Sequence, residues 1–527
     1  FAVKKEGYTP LAMGLSRRAF LHTTAAAAVW PLTVRGWQAP AGTQTGLFRH
    51  GVASGDPLTD RVILWTRVTP PAGHSDSRPL DVRWRVASDE QMSSIVARGT
   101  AQAAAERDFT VKVDAGSLKA GATYYYAFDS AGEQSPIGRT KTLPDRGAQR
   151  LRLGQVSCSN YPTGYFNVYR CLANRPDLDA VVHLGDYIYE FAANRYSDPS
   201  ISRSVEPVSE IVTLADYRTR YAYYRNDPDL QAVHRQHPFI VVWDDHELAN
   251  DAWSGGAGNH EPSQGDWKVR QRAAYRAYLE WMPIREVSAT EIRLYRRFAF
   301  GGLADLIMLD TRGLRDQQVT GGDKAAFADP RRTLLGAAQE SWLSDTLRAS
   351  QKSGTQWRIL GQQILFSPLT VPGMAVLRPD VWDGYPAARE RMFDMIDSDR
   401  ITDVAILTGD IHSSWALDVP RNPWSAATYD AKTASGSRAV EIVTPAVSSP
   451  PMFSSQAQRE VATMLEPLAR HLKFLEGDSR GYVLLDVTRK TLQADWYFVP
   501  TITQRTDQEK RAARFVCERG SSHLVSA

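Results

Sequence analysis

The stretch Val181-Val-His-Leu-Gly-Asp-Tyr-Ile-Tyr-Glu190 passes from a β-branched apolar run into a Gly-Asp pair, two tyrosines and a glutamate. A short apolar run that ends in glycine and aspartate predicts a buried strand followed by a turn. In three more segments, residues 156–160, 240–247 and 406–412, a predicted strand likewise ends in a polar cluster. Because sites in α/β sheets assemble beyond the carboxyl ends of the strands, we predict that the four polar clusters converge.

Strand patterns alternate with helical patterns on both sides of these clusters. Strands are predicted at residues 151–157, 180–185, 239–243, 303–309, 357–360, 404–409, 440–444, 482–487 and 492–498, and helical stretches at 165–174, 270–281 and 330–350. This alternation is typical of an α/β domain built on stacked or mixed sheets. We predict such a domain over residues 147–500.

The two regions that flank this domain have other patterns. Residues 46–146 contain short runs that alternate apolar with polar side chains and are separated by Pro, Gly and Asp. Such a pattern predicts an antiparallel β-sandwich of the immunoglobulin or fibronectin type. Residues 501–527 are charged and then serine-rich, so we predict a C-terminal tail that is frayed from residue 508 onward.

Residues 1–45 predict an export signal and its linker. Arg17 and Arg18 directly precede an apolar, alanine-rich run at residues 19–34. This arrangement resembles a twin-arginine signal, which implies the twin-arginine translocase as a partner and a periplasmic, cell-envelope or extracellular location. A mitochondrial-type presequence and a disordered tail are the alternatives. The run is shorter than the roughly 20 residues that span a bilayer, so no transmembrane segment is predicted.

The overall composition narrows the class of protein. The chain of 527 residues has 62 Lys and Arg against 59 Asp and Glu, a net charge of +3, which argues against a nucleic-acid-binding protein. Three cysteines are too few for a disulfide framework. We expect Cys171 and Cys517 to be buried core residues. Cys158 lies at a predicted strand end beside the other polar clusters and is a candidate ligand.

Taken in order, the motifs at the four strand ends resemble a known family. The series Cys158, Gly185-Asp186-x-x-Tyr189, Asp245-His246-Glu247 and Gly409-Asp410-x-His412 is similar to the calcineurin-like metallophosphoesterases, in the variant of the alkaline phosphatase D (PhoD) family. Segments 51–57, 309–312 and 381–386 agree with it. The resemblance implies an α/β metallophosphatase fold with two packed mixed β-sheets. It also implies an exported enzyme that hydrolyses phosphomonoesters and phosphodiesters by metal-activated hydroxide.

The same resemblance implies a set of metal ligands. Fe³⁺ would be held by Cys158, Asp186, Tyr189 and His412. A second ion would be held by Asp186, Asp245 and Asp410, with Asp186 as the bridge. This second set is all oxygen, which favours Ca²⁺, while Mg²⁺, Mn²⁺ or Zn²⁺ are alternatives. A further Ca²⁺ could be reached by Asn250, Asp251 or Asn160.

Three side chains are candidates for direct contact with the substrate. His246 is the candidate general acid, and hydrogen bonding to Asp245 is its alternative role. Arg312 is the candidate phosphate clamp, because a guanidinium group matches a phosphate bidentately, and Asn160 is a second substrate-binding candidate. The sequence leaves two other functions open. One is a phospholipase D-type enzyme acting on phospholipids, and the other is a catalytically silent protein that binds phosphate or a surface.

Overall fold

The computed structural model describes residues 46–527 except 76, 288–292, 320–323, 373–375, 377 and 453–468. The predicted export signal, residues 1–45, lies outside the described residues. The strands are β1 Val52–Gly55, β2 Val62–Arg67, β3 Leu80–Ala87, β4 Ile95–Ala103, β5 Thr110–Ala115, β6 Thr123–Ser130, β7 Glu133–Gln134, β8 Gly138–Lys141, β9 Arg150–Val156, β10 Ala180–His183, β11 Pro238–Val241, β12 Arg296–Phe300, β13 Ala304–Met308, β14 Trp357–Gly361, β15 Val404–Thr408, β16 Ser414–Pro420, β17 Ser437–Val443, β18 Leu472–Glu476, β19 Arg480–Thr488, β20 Thr491–Val499, β21 Lys510–Glu518 and β22 Leu524–Ser526. The helices are α1 Asn167–Ala173, α2 Leu214–Tyr224, α3 Pro228–Gln236, α4 Trp267–Trp281, α5 Lys324–Phe327, α6 Gly336–Lys352 and α7 Pro386–Ser398.

Two mixed sheets form the centre of the fold. The larger has ten strands in the order β22-β21-β20-β19-β9-β10-β11-β1-β2-β5, and its neighbours β9, β10, β11 and β1 are parallel. The smaller has seven strands in the order β12-β13-β14-β15-β17-β16-β18, and β13, β14, β15 and β17 are parallel. The nine predicted strands of the α/β domain are therefore confirmed, with ends that differ by a few residues.

The alternation of side chains along the strands explains how the two sheets pack. In β15, Ala405 and Leu407 lie in the core that the two sheets share, whereas Val404 and Ile406 lie in a second core with helices α6 and α7. Successive side chains of a strand point to opposite faces, so a strand that is apolar throughout is buried on both. Helices α1 to α4 contribute to the shared core from the far side of the ten-stranded sheet.

The N-terminal region forms two layers, as predicted for a β-sandwich, but one of the layers is continuous with the ten-stranded sheet. One layer is the five-stranded sheet of β4, β3, β6, β7 and β8. The facing layer consists of β1, β2 and β5, which continue the ten-stranded sheet because β1 pairs with β11 in parallel. Buried residues such as Val62, Val82 and Tyr126 fill the space between the layers. A long-range parallel pairing of this kind leaves no local sequence signal.

The prediction of a frayed C-terminus is wrong. Residues 510–518 and 524–526 form β21 and β22, the last two strands at one edge of the ten-stranded sheet. Phe515, Cys517 and Leu524 are buried in the shared core. In the second half of β21, Phe515 and Cys517 are buried whereas Arg514 and Glu518 on the other face are not, so this part of the strand has one buried face and one polar face.

Within the part of the chain that the structure describes, no helix is both long enough and apolar enough to cross a bilayer.

Candidate metal centre

The four polar clusters converge where the carboxyl ends of the central strands meet. Adjacent strand-end loops are joined through their backbones: the Cys158 N–H donates to the Gly185 carbonyl at 3.1 Å, and the Ser159 N–H donates to the Asp186 carbonyl at 2.9 Å. Gln363 links the two sheets. Its side-chain NH₂ group donates to the backbone carbonyl of Trp243 at 2.7 Å, and its backbone carbonyl accepts the N–H of Gly409 at 2.7 Å. The predicted convergence is therefore present.

Four of the predicted ligands adopt left-handed backbone conformations. The φ angles are 61° at Cys158, 56° at Asp186, 60° at Asp410 and 51° at His412. Non-glycine residues rarely adopt positive φ, and for cysteine and histidine the conformation costs on the order of 1–3 kcal/mol. Such strain persists only where surrounding contacts enforce it, and it concentrates at functional sites.

Donor atoms from Cys158, Asp186 and His412 lie within 4.8 Å of one another, as ligands of one ion would. The Tyr189 hydroxyl joins them, since it lies 2.9 Å from Asp186 Oδ2 and 3.3 Å from His412 Nε2, and it accepts a hydrogen bond from Ser449 at 2.7 Å. A thiol, a phenol, an imidazole and a carboxyl group thus meet at one point. This is the four-residue set that the resemblance implies.

Two further groups of donor atoms adjoin the first. One consists of Asp186, Asp245 and His246, and the other of Asp244, Asp245 and Asp410. Asp186 belongs to two of the three groups, which suits a bridging carboxylate. Asp244 was not assigned a role from the sequence, although it directly precedes Asp245 in the strand-end motif.

Burial and mutual repulsion disfavour negative charge on these side chains. Burial, and after it the Asp186 carboxylate, raises the pKa of the Cys158 thiol and of the Tyr189 hydroxyl well above their ordinary values. Burial also raises the pKa of Asp186 and Asp244. Asp244 Oδ2 is buried and has no hydrogen-bond partner among the described residues. A donor set so crowded and so dry fits bound cations, which would compensate the charge.

His412 is prepared as a neutral ligand. Its Nδ1 lies 2.8 Å from the Pro450 carbonyl, so Nδ1 carries the proton and Nε2 presents its lone pair toward Tyr189 and Cys158. Burial lowers the pKa of His412 to about 3, which keeps the ring neutral. A backbone carbonyl that orients a histidine in this way is a common partner of metal-binding imidazoles.

His246 forms a close pair with Glu190. Its Nδ1 lies 2.7 Å from Glu190 Oε2, and its ring packs against the Tyr189 ring with centroids 4.2 Å apart. Burial alone would lower the pKa of His246, but the carboxylates of Glu190, Asp186 and Asp245 raise it well above the ordinary value. The hydrogen bond to Glu190 holds the imidazole in one orientation, and the surrounding carboxylates favour its protonated form. Nothing in the sequence pattern pairs Glu190 with His246, although both lie in the quoted motifs.

Glu247 ties the loops of the centre together. Its carboxylate accepts three backbone hydrogen bonds, from Asp186 at 3.0 Å, from Tyr187 at 2.6 Å and from Asp244 at 2.8 Å. The side chain is buried. It thereby sets the backbone position of two candidate ligand residues without contacting the donor groups itself. In the sequence, Glu247 is distinguished only as part of the motif at 245–247.

Arg312 does not occupy the position of a phosphate clamp. Its side chain is fully buried and forms ion pairs with Asp244, with Asp380 at 2.8 Å, with Asp410 at 3.1 Å and with Asp245 at 3.7 Å. A guanidinium enclosed by carboxylates neutralises the protein's own charge and has no free edge for a substrate. Asp380 is in turn held by Arg315 at 2.5 Å.

A different arginine lies at the open side of the centre. Arg378 Nη2 lies 3.1 Å from Asp410 Oδ2, and 38% of the Arg378 side chain is exposed. Among the described residues, the guanidinium contacts only Asp410, which leaves its other N–H groups available as donors. In the sequence, the one feature that distinguishes Arg378 is that it lies three residues before the motif at 381–386.

The two predicted asparagines have structural contacts of other kinds. The Asn160 side chain is buried and donates to the Tyr196 carbonyl at 2.7 Å, which holds the loop that carries Tyr196 beside His412. Asn250 donates its backbone N–H to Glu190 at 2.7 Å. Neither side chain is shown at a donor group, and their roles in substrate or metal binding stay predictions.

Comparison with known proteins agrees with this arrangement. The family model of the PhoD-like phosphatases matches residues 153–496, and that of the PhoD-like phosphatase N-terminal domain matches residues 36–144. Alkaline phosphatase D of Bacillus subtilis (strain 168) is 37% identical over 495 residues, which cover 90% of this chain and 82% of that protein. A solved structure of PhoD has a TM-score of 0.82 at 35% identity, covering 92% of this chain and 93% of that chain.

The fold, the buried donor groups and these likenesses define the class of protein: the chain is a hydrolase of phosphoric esters. It belongs to the PhoD-like phosphatase family. The family resemblance predicted from the strand-end motifs is confirmed.

Proposed function

We propose that the centre hydrolyses both phosphomonoesters and phosphodiesters, with one Fe³⁺ and one or two Ca²⁺ ions. Cys158, Asp186, Tyr189 and His412 would hold the iron. Asp186, Asp245 and Asp410, with Asp244 as an added donor, would hold calcium. The observation that carries the proposal is the meeting of a thiol and a phenol with a carboxylate shared between donor groups. When bound, the ions would lower the pKa of a water molecule and offset charge on the phosphoryl oxygens.

The chain's own residues supply the other parts of the reaction. His246, protonated and oriented by Glu190, would give a proton to the leaving-group oxygen. Its Nε2 has no hydrogen-bond partner among the described residues, so this nitrogen is free to reach the substrate. Arg378 would bind non-bridging oxygens of the phosphoryl group. Arg312 would keep the aspartates in place rather than contact the substrate.

The ester specificity is tested by measuring kcat/KM for a chromogenic phosphomonoester and its matching diester on one metal-loaded preparation. Asp186→Asn is the blank, because asparagine tolerates the left-handed backbone at this position better than alanine does. We expect turnover of both esters and loss of both in the variant. Full activity of Asp186→Asn would contradict the bridging role, and no turnover of either ester by the native chain would favour a phospholipid substrate.

The iron assignment has a spectroscopic test. A phenolate bound to Fe³⁺ gives a visible charge-transfer absorption, so Tyr189→Phe is expected to remove or strongly shift the band. Tyr196→Phe is the matched control, since the Tyr196 hydroxyl lies 3.2 Å from His412 Nδ1, on the side of the ring away from the donor group. An unchanged spectrum in Tyr189→Phe would exclude the phenolate ligand.

We also propose that the chain is exported by the twin-arginine route. The support is the Arg17-Arg18 pair before the apolar run. Replacing both arginines by lysine keeps the charge but removes the recognised pair, so the enzyme should accumulate inside the cell. Unchanged export of the Arg17→Lys/Arg18→Lys double variant would exclude this route.

A further inference from the structure

A cleft of about 640 Å³ opens on the N-terminal five-stranded sheet, on strands that carry none of the metal-centre residues. We call it the arginine cleft and define it by Arg83 and Arg85 of β3, Arg98 and Thr100 of β4, and Asp129 of β6.

Strand register places these side chains on one face of the sheet. Arg85 lies directly opposite Arg98, and Arg83 lies opposite both Thr100 and Asp129. Val82 and Val86 of the same strand belong to the buried core between the two layers. Because side chains alternate along a strand, the three arginines point away from that core and toward solvent.

The positive charge of the cleft is only partly balanced within the protein. Asp129 binds Arg85 through two hydrogen bonds of 3.2 Å, and Gln134 accepts a third from Arg85 at 3.0 Å. Arg83 and Arg98 are exposed, and among the described residues neither has a hydrogen bond or an ion pair. Asp81 of β3, whose carboxylate accepts a hydrogen bond from the neutral Gln102 amide, adds a second negative charge on this face. Three arginines against Asp81 and Asp129 leave an excess of one positive charge.

Like charges directly opposite each other on neighbouring strands are destabilising. The Arg85 and Arg98 pair therefore costs free energy that a bound anion would recover. Guanidinium groups bind phosphate groups in a bidentate manner, and two of the three here have their N–H groups free.

We propose that the arginine cleft binds a linear oligophosphate or polyphosphate, a chain of phosphate groups without bases, and so holds a phosphate-rich polymer at a site separate from the metal centre. A nucleic acid fits less well, because single strands need exposed aromatic rings on which bases stack. The one aromatic side chain at the cleft, Trp84, lies on the opposite face, where a Cβ on Gly99 would lie 2.7 Å from its ring.

The test compares two double variants of the full, metal-loaded chain. Arg83→Gln/Arg98→Gln removes the free guanidinium groups of the cleft. Arg146→Gln/Arg489→Gln removes two exposed arginines elsewhere and loses the same charge. Binding of long-chain linear polyphosphate is measured by calorimetry on the native chain and both variants in parallel, so that any binding at the metal centre is common to all three proteins. Turnover of a small chromogenic phosphoester is measured in parallel.

We expect the cleft variant to bind polyphosphate at least about tenfold more weakly, while the control variant binds as the native chain does. Turnover of the small ester should be unchanged in both, so failure of the cleft proposal would be separate from failure of the phosphoesterase assignment. Equal affinity in all three proteins would overturn the proposal. Binding of single-stranded DNA that is as tight, and as sensitive to Arg83→Gln/Arg98→Gln, would replace it with a nucleic-acid site.

Discussion

Three features of Asp186 bear on the candidate site: its carboxylate, its backbone conformation and its peptide N–H. Its carboxylate lies in two of the three donor groups, its φ angle of 56° is one that few side chains tolerate, and its peptide N–H is held by Glu247. With this left-handed backbone, the carboxylate of Asp186 lies among the donor groups while its peptide N–H donates to Glu247. The strain is offset by fixed hydrogen bonds, and Glu247 supplies three of them.

Glu247→Gln is expected to weaken metal binding and turnover about 10- to 100-fold, the usual effect of removing a group that orients ligands. Glutamine keeps the size of the side chain, but its NH₂ group replaces one acceptor oxygen. That group would face a backbone N–H, so the hydrogen bond at this position is lost. Metal content after dialysis and kcat/KM are the measurements. Glu280→Gln is the control, since Glu280 is buried but pairs with Arg218 and Arg276 outside the centre. Equal effects in both variants would mean that Glu247 is only structural.

Arg378→Gln should lower kcat/KM for a phosphomonoester dianion about 10- to 100-fold. The decrease in kcat/KM for a diester monoanion should be smaller, because the guanidinium then faces less negative charge. Arg378→Lys should recover only part of the loss, since lysine cannot bind two oxygens in a fork. Arg348→Gln removes an exposed arginine paired with Asp345 and Asp399 and should change neither value. Equal losses for the two esters would argue against direct contact with the phosphoryl group.

At the scale of single elements, strand β5 is anchored to helix α4 by a buried lysine. Lys112 Nζ lies 2.5 Å from the Leu279 carbonyl of α4 and 2.5 Å from Glu286. Burial lowers the pKa of Lys112 from 10.5 to about 8, although Glu286 opposes this shift. A charged amine is thus kept at the junction between the N-terminal layer and the α/β part of the fold.

The lowered pKa of Lys112 predicts a dependence of stability on pH. Below pH 8 the lysine is charged in both the folded and unfolded states, and the cost of burying its charge is fully present. Between pH 8 and 10.5 the unfolded state binds the proton more tightly, so the stability of the native chain rises with pH, by up to about 3 kcal/mol.

Lys112→Met should abolish that rise, whereas Lys119→Met, at an exposed lysine, should keep it. Urea unfolding at pH 7.5 and pH 10 measures the difference. Parallel pH curves for the native chain and Lys112→Met would show that the buried amine does not titrate in this range.

At the scale of the whole molecule, the C-terminal strands hold the two large sheets together. β22 closes the edge of the ten-stranded sheet, and Asp418 of the seven-stranded sheet accepts the Leu524 N–H at 3.0 Å and pairs with His523 at 2.9 Å. Phe515 packs against Trp496 and Phe474 with ring centroids 5.9 and 5.8 Å apart. Phe515 and Leu524 of the last two strands therefore belong to the core.

Leu524→Ala is expected to lower the free energy of unfolding by about 2–5 kcal/mol, as for other buried leucines, since only 1% of Leu524 is exposed. Val525→Ala, one residue later and 53% exposed, should change it by less than about 0.5 kcal/mol. Denaturant unfolding of the two variants gives the comparison. If Leu524→Ala were as harmless as Val525→Ala, the segment would be frayed, as the sequence alone suggested.

The sequence by itself determined the central strands, their order along the chain and the ligand-bearing motifs at their ends. Those features are local: apolar runs predict strands, and polar residues directly after them predict a site. The tertiary structure alone decided which partners meet across many residues. It paired β1 with β11, ordered β21 and β22, enclosed Arg312 among aspartates, left Arg378 open, and joined His246 to Glu190. Contacts of this kind depend on where separate segments pack, and no spacing within one segment encodes them.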